Sequence, residues 1–259
     1  MHTIISPAIL YRGTPVVLLT TENEDGTFNI SPISSAWWLA HRCVLGLDAS
    51  SKCTQNILRT KQVVLNLPSE DMVDNVNSIA RTTGSNPMPP WKEAVGYTYV
   101  KDKFEAAGLT QQPSDFIHPP RILECPIQME AEFVESNDIM SDLPDRKSIV
   151  LKMEVKILRT HVEESLRLNG HPNRIDTNKL RPLFMVFQEF HGMTRRISGK
   201  SRLAEVNEEN YRLSTRSEVT KQLGDDDHLL SMVREDAVAP EGTAVELTHE
   251  QKESLRHLE

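Results

Sequence analysis

PVVLLTTENEDGTFNISPISSAWWLAHRCVLGLDASSKCTQNILRTKQVVLNLP, residues 15–68, is the stretch that decides the fold. Four apolar runs, at 15–21, 28–33, 43–47 and 62–67, alternate with short polar loops. Each run is rich in Val, Ile and Leu, is too short for an ordinary helix, and is bounded by turn residues. Each therefore reads as a strand. Asn23-Glu24-Asp25-Gly26 supplies the first hairpin turn, because Asp-Gly tolerates the positive φ angles that a tight connection needs.

Two loops of small polar side chains interrupt these strands. The first runs over 29–36, between the second and third strands. The second follows the third strand, Asp48-Ala49-Ser50-Ser51-Lys52-Cys53-Thr54-Gln55-Asn56, and leads into a helical pattern over 54–60 with Thr54 or Ser51 placed to cap it. A helix start carries free backbone N–H groups and partial positive charge, which suits a phosphate, and Lys52 adds a full charge.

The succession PVVLLTTxxxDGxxNxSPISS, LGLxxSSKxTxNIxxT and VVLNLP resembles the flavin reductase-like, FMN-binding split-barrel family, over roughly residues 8–205. No single residue carries the likeness; the order of four strands and two polar loops does. The resemblance implies a mainly β fold, a split β-barrel with short peripheral helices, in a homodimer with FMN near the subunit interface. NAD(P)H would be the electron donor, and a partner oxygenase or a small molecule the acceptor. Asn29, Ser31, Pro32, Ile33, Ser34 and Ser35 would then form one wall around the flavin, with Asp48, Ala49 and Ser50 at its pyrimidine end. Ser51, Lys52, Thr54 and Asn56 would hold the phosphate. The cofactor would carry the redox chemistry, so no side chain is assigned as catalytic acid or base. Two rivals stay open: an FMN-binding electron carrier without NAD(P)H activity, and a barrel that has lost its flavin.

Composition narrows the field further. The chain has 259 residues, enough for one large domain or a domain with an appendage. Its net charge of −8 and the absence of long Lys/Arg runs argue against nucleic acid and anionic membranes as partners. No apolar stretch approaches bilayer length, and the first residues, MHTIISPAILYRG, lack the marks of a signal peptide. A cytoplasmic protein is the expectation. Cys43, Cys53 and Cys125 lack CxxC spacing and read as free thiols, Cys43 and Cys125 in the core. Cys53 lies in the phosphate loop, where packing is the ordinary role and a reactive thiol the rarer one. There is no GxGxxG after a strand, no GxxxxGK[ST], no HExxH and no GxSxG.

Beyond residue 68 the signals are thinner. Ser69 reads as the N-cap of a helix whose apolar face includes Met72, Val73, Val76 and Ile79, ending near 81–84. Residues 84–100 read as a loop in which Trp91, Tyr97 and Tyr99 either cover a pocket or anchor the chain, and 101–109 as a short helix ended by Gly108. Residues 127–133 and 149–157 alternate apolar and polar side chains, the mark of strands with one buried and one wet face. Arg81, Thr82 and Thr83, and Arg195 with Arg196, are secondary candidates for phosphate or nicotinamide dinucleotide. Related reductases carry an aromatic after the last strand, where this chain has Ser201-Arg202. The domain expectation is a split barrel over 1–205 and a polar, helical C-terminal extension over 206–259.

Overall fold

The computed structural model describes residues 2–7, 10–146 and 148–193. The expected extension over 206–259 and Arg195-Arg196 lie outside the described residues. The described elements up to Arg167, with those from Ile175 onward, form one compact unit; Leu168–Arg174 belong to a second, the rest of which is not described.

Among the described residues up to Val162 there are twelve strands and four α-helices. They are β1 (Arg12–Pro15), β2 (Val17–Glu22), β3 (Phe28–Ile33), β4 (Ala36–Leu39), β5 (Arg42–Asp48), α1 (Lys52–Thr60), β6 (Gln62–Leu67), α2 (Val73–Ile79), β7 (Thr82–Thr83), α3 (Pro90–Ala94), β8 (Thr98–Tyr99), α4 (Lys103–Ala107), β9 (Gln111–Gln112), β10 (Arg121–Ile122), β11 (Ile127–Asp138) and β12 (Val150–Val162). Seven strands form one sheet in the order β3-β2-β6-β11-β12-β5-β4, with antiparallel neighbours throughout. Its two edges, β3 and β4, are joined by Ser34 and Ser35 alone. That link reaches at most about 11 Å, so the sheet must curl until its edges meet. A barrel follows, split where β3 and β4 fail to pair.

Two apolar clusters hold this sheet from opposite faces. Val17, Leu19, Leu45, Val63, Leu65, Met129, Met153 and Val155 fill the barrel, with Cys53 and Ile57 of α1 closing onto them. Val16, Leu18, Ile30, Val76, Ile79, Phe104, Leu109 and Ile122 pack α2, α4 and the outer loops against the back. β2 contributes to both, which is why it reads as an unbroken apolar run rather than an alternating one. Each fully buried Leu or Val contributes roughly 1.5–3 kcal/mol. Asn66, fully buried on the back face, is satisfied by Leu18 O at 3.0 Å and by the N–H of Ile122 at 2.9 Å.

Several expectations are corrected. Residues 28–33 form β3, as their apolar run suggests, so the loop expected over 29–36 shrinks to Ser34 and Ser35; Pro32 is tolerated because β3 is an edge strand whose free side needs no N–H. Residues 36–39 form β4, so the barrel sheet has seven strands. Ser51, not Thr54, caps α1. Ser69 makes no capping bond to the helix; a single 3₁₀ turn precedes α2, which stops at Ile79. The polar face of β11 is not all wet: Gln128 is 5 % exposed and Glu130 fully buried, because β9, β10 and their connection fold over it.

Candidate functional site

The second polar loop is locked by its own side chains. Asp48 Oδ1 accepts from Ser50 N (2.7 Å) and Ser50 Oγ (2.5 Å), while Ala49 N donates to Ile149 O (2.9 Å). Thr54 N donates to Ser51 Oγ at 3.1 Å, and Thr54 Oγ1 donates to Asp48 O at 2.7 Å. These bonds orient the start of α1, where no intrahelical carbonyl can reach the N–H groups of Lys52 and Cys53. Lys52, paired at 2.8 Å with the largely exposed Glu24, stands at that start. Its ammonium holds the Glu24 carboxyl below the usual range.

Opposite this helix start runs the edge of β3. Asn29 is buried, its Nδ2 donates to Ser31 Oγ at 3.2 Å, and its Oδ1 has no partner. Ser31 in turn meets the Cys53 thiol. Gly84 lies against both Asn29 Oδ1 and the Lys52 stem; a Cβ there would strike the amide oxygen and lie 3.4 Å from Lys52 Cγ. Asn29, Ser31, Lys52 and Gly84 thus converge on one recess. Pro32, Ile33 and Ser34 are half-buried toward the barrel corner, and Ser35 Oγ donates to Gly46 O at 2.6 Å. Asn56 stands apart: its Nδ2 bridges Thr21 Oγ1 (3.1 Å) and Asn23 Oδ1 (2.9 Å), tying α1 to the first hairpin.

Three further residues border the site, of which Trp91 alone stands among the sequence candidates. Trp91 Nε1 donates to Ser50 Oγ at 3.3 Å and edges onto Tyr97, placing α3 over the loop. Lys92, 7 % exposed, lies 5.4 Å from the Trp91 ring centre; burial lowers its pKa and nearby Asp48 partly restores it. Lys103, 2 % exposed, donates to Ile30 O at 2.9 Å. Burial pushes its pKa down to about 8, against the influence of Cys53 and with that of Lys92. Ser85 Oγ is buried without a partner. One signal for Lys103 was available: it opens α4, where the helix dipole disfavours a cation.

Other expectations resolve differently. Burial pushes the Cys53 thiol up to about 12, so it is a neutral packing residue rather than a nucleophile. Arg81 Nη2 donates to Val95 O at 2.5 Å, Thr82 Oγ1 to Ile79 O at 2.8 Å, and Thr83 Oγ1 accepts from Ser85 N at 3.2 Å. All three serve the α2–α3 connection. Trp91 unites the two readings offered for the aromatic residues, since it anchors the loop by covering the site.

The recess passes a fit test for a flavin phosphate. It offers the free N–H groups of Lys52 and Cys53, the Ser51 hydroxyl and cationic Lys52 for the phosphate, and beside them the unpartnered amide oxygen of Asn29, an acceptor that suits a ribityl hydroxyl or a ring N–H. Buried polar atoms without partners are costly, and a ligand that pairs them removes the cost.

A second polar cluster lies elsewhere on β11 and β12. Glu130 accepts from the N–H groups of Asp115 (2.9 Å) and Phe116 (2.7 Å) and contacts His161 Nε2 at 2.7 Å; Arg159 pairs with Asp115. Asp115, Glu130 and His161 lie close enough to grip a metal ion, yet Arg159 already occupies Asp115 and the N–H groups already fill Glu130. The cluster is satisfied as it stands.

A family model described as the flavin reductase like domain matches residues 11–173. The protein YdfE of Bacillus subtilis (strain 168) is 43% identical over 193 residues, covering 74% of this chain and 90% of its own. Flavoredoxin of Desulfovibrio vulgaris (Miyazaki F) superposes with a TM-score of 0.62 at 17% identity, over 79% of this chain and 99% of that one. Nitrilotriacetate monooxygenase component B from Bacillus cereus gives a TM-score of 0.58 at 21% identity, over 74% and 88%. At such identities the structural likeness establishes the fold.

Proposed function

Because the chain belongs to the flavin reductase-like domain family, we propose that it binds FMN in the recess between β3 and α1 and works as an NAD(P)H-dependent flavin reductase or related oxidoreductase. The observation that carries this reading is the convergence of a capped helix start, Lys52 and the unpartnered buried amide oxygen of Asn29 on one recess. The bound flavin would supply the redox chemistry. The protein's part is to hold and shield it. Ser51, Lys52 and Thr54 hold the phosphate; Asp48, Ala49 and Ser50 form the pyrimidine end; Asn29, Ser31, Pro32, Ile33, Ser34 and Ser35 line the wall. Asn56 supports the helix from behind. Trp91 screens the loop from water. The protein works as a homodimer in the cytoplasm, passing electrons to a partner oxygenase or a small acceptor.

A visible spectrum of the purified protein, with identification of any flavin released on denaturation, tests the cofactor. Lys52→Ala with Thr54→Ala should weaken FMN binding at least about 100-fold, since two charge-assisted or hydroxyl contacts to phosphate are removed; unchanged affinity would refute the phosphate assignment. NAD(P)H oxidation with added FMN tests the donor, and no turnover with either nucleotide would leave the electron-carrier reading in its place.

A further inference from the structure

Resting on the flavin reading above, we propose that Lys103 is a specificity residue of the recess: its buried, carboxylate-free ammonium selects flavins that carry a terminal phosphate, and their binding is coupled to uptake of a proton by this side chain. Lys103 reaches the backbone of β3 beside Cys53, and among the described residues its one hydrogen bond is to Ile30 O, the backbone group between Asn29 and Ser31. An ammonium has three N–H donors, so one carbonyl leaves it under-satisfied. Among the described residues no carboxylate comes within ion-pair distance of it.

The groups packed around it add positive charge or none. Cys53 of α1 is a neutral thiol, and Lys92 of α3 is a second buried cation that opposes the first. Lys52 of α1 points its charge at Glu24. Asp48, at the end of β5, acts on Lys92. The carboxylates of α2 and of α4 itself, Asp74, Asp102 and Glu105, are exposed. A fold that only needed a filled space would place an apolar side chain here, because a buried unpaired charge opposes folding. The arrangement makes sense if a dianion completes it. In the free protein Lys103 titrates at about 8; a nearby phosphate favours the ammonium and raises that value, so binding above pH 8 draws in a proton. A phosphate monoester with a second pKa near 6 is already a dianion there and contributes no proton of its own.

The test compares FMN with riboflavin by titration calorimetry between pH 7 and 9.5, in two buffers of different ionisation enthalpy. FMN binding should take up about three-quarters of a proton at pH 8.5 and weaken by up to about tenfold per pH unit above 8, while riboflavin shows neither effect. Lys103→Met should lower the preference for FMN over riboflavin by about tenfold or more and abolish the uptake. FMN binding without proton uptake in the unaltered protein, or uptake that persists in Lys103→Met, overturns the inference and leaves the flavin reading intact. Failure of the unaltered protein to bind either flavin overturns both. The calorimetry on the unaltered chain stands even if Lys103→Met does not fold.

Discussion

Glu130 and Lys103 are both buried charges packed against the one barrel sheet, and they are treated in opposite ways. Glu130 is fully enclosed yet wholly partnered, by two backbone N–H groups and His161. Burial would raise its pKa, but those partners outweigh burial and hold it below the usual range. Lys103 is as deeply placed but has one carbonyl and a like-charged neighbour, so burial wins and its pKa falls. The first arrangement pins a loop to the barrel. The second leaves a charge poised for something outside the protein. Buried charge marks structure where it is satisfied and a ligand site where it is not.

The sharpest way to break this contrast is to replace each charge with an apolar side chain of similar length. Glu130→Leu strands the N–H groups of Asp115 and Phe116 and leaves His161 without its acceptor. The expected loss is about 3 kcal/mol of unfolding free energy in urea. Because the folded pKa of Glu130 is depressed, its contribution is full above the unfolded value of 4.5 and fades as pH falls through the folded value. The gap between variant and parent should therefore narrow in acid. A Glu130→Leu protein as stable as the parent at pH 7 would mean the cluster is not structural.

Lys103→Met should move stability the other way. A lysine whose pKa falls from 10.5 to about 8 on folding destabilises the folded chain most below pH 8, and the penalty vanishes as pH rises through 10.5. The variant should gain about 2 kcal/mol at pH 7, after allowance for the lost bond to Ile30, and nothing near pH 10.5. A stability loss at pH 7 would assign Lys103 to the fold and erase the contrast with Glu130. A gain in stability together with lost FMN preference is the trade expected of a ligand-site residue.

How far each end could be read in advance follows from the same physics. β3 and β6 carry the bounds that their apolar runs suggest, 28–33 and 62–67, because turn residues close both. The loop from Asp48 to Thr54 was legible because capping chemistry is local: Ser51 reaches Thr54 within one helical turn. Glu130 was misread because alternation along a strand reports two faces but not what later folds over them; the cover comes from β9, β10 and the loop at 115–116. Lys92 and Lys103 went unassigned for a related reason. They lie 38 and 49 residues beyond Thr54, the end of the loop they serve, and only the closed barrel brings them to it.

Lys52 lies between the two extremes and supplies the finest test. It is mostly buried by its stem but keeps a carboxylate partner, Glu24, which is itself largely exposed. Such a pair contributes little to stability, so Glu24→Gln should change unfolding free energy by no more than about 0.5 kcal/mol. The same carboxylate must compete with an incoming phosphate for the Lys52 ammonium. Freeing that ammonium should tighten FMN binding by about two- to fivefold at low ionic strength, with the gain shrinking as salt screens the competing charge. Riboflavin, which brings no phosphate, should bind equally to parent and variant. If Glu24→Gln weakens FMN instead, then the carboxylate positions Lys52 rather than occupying it, and Lys52 joins Glu130 among the charges whose partners are part of the design.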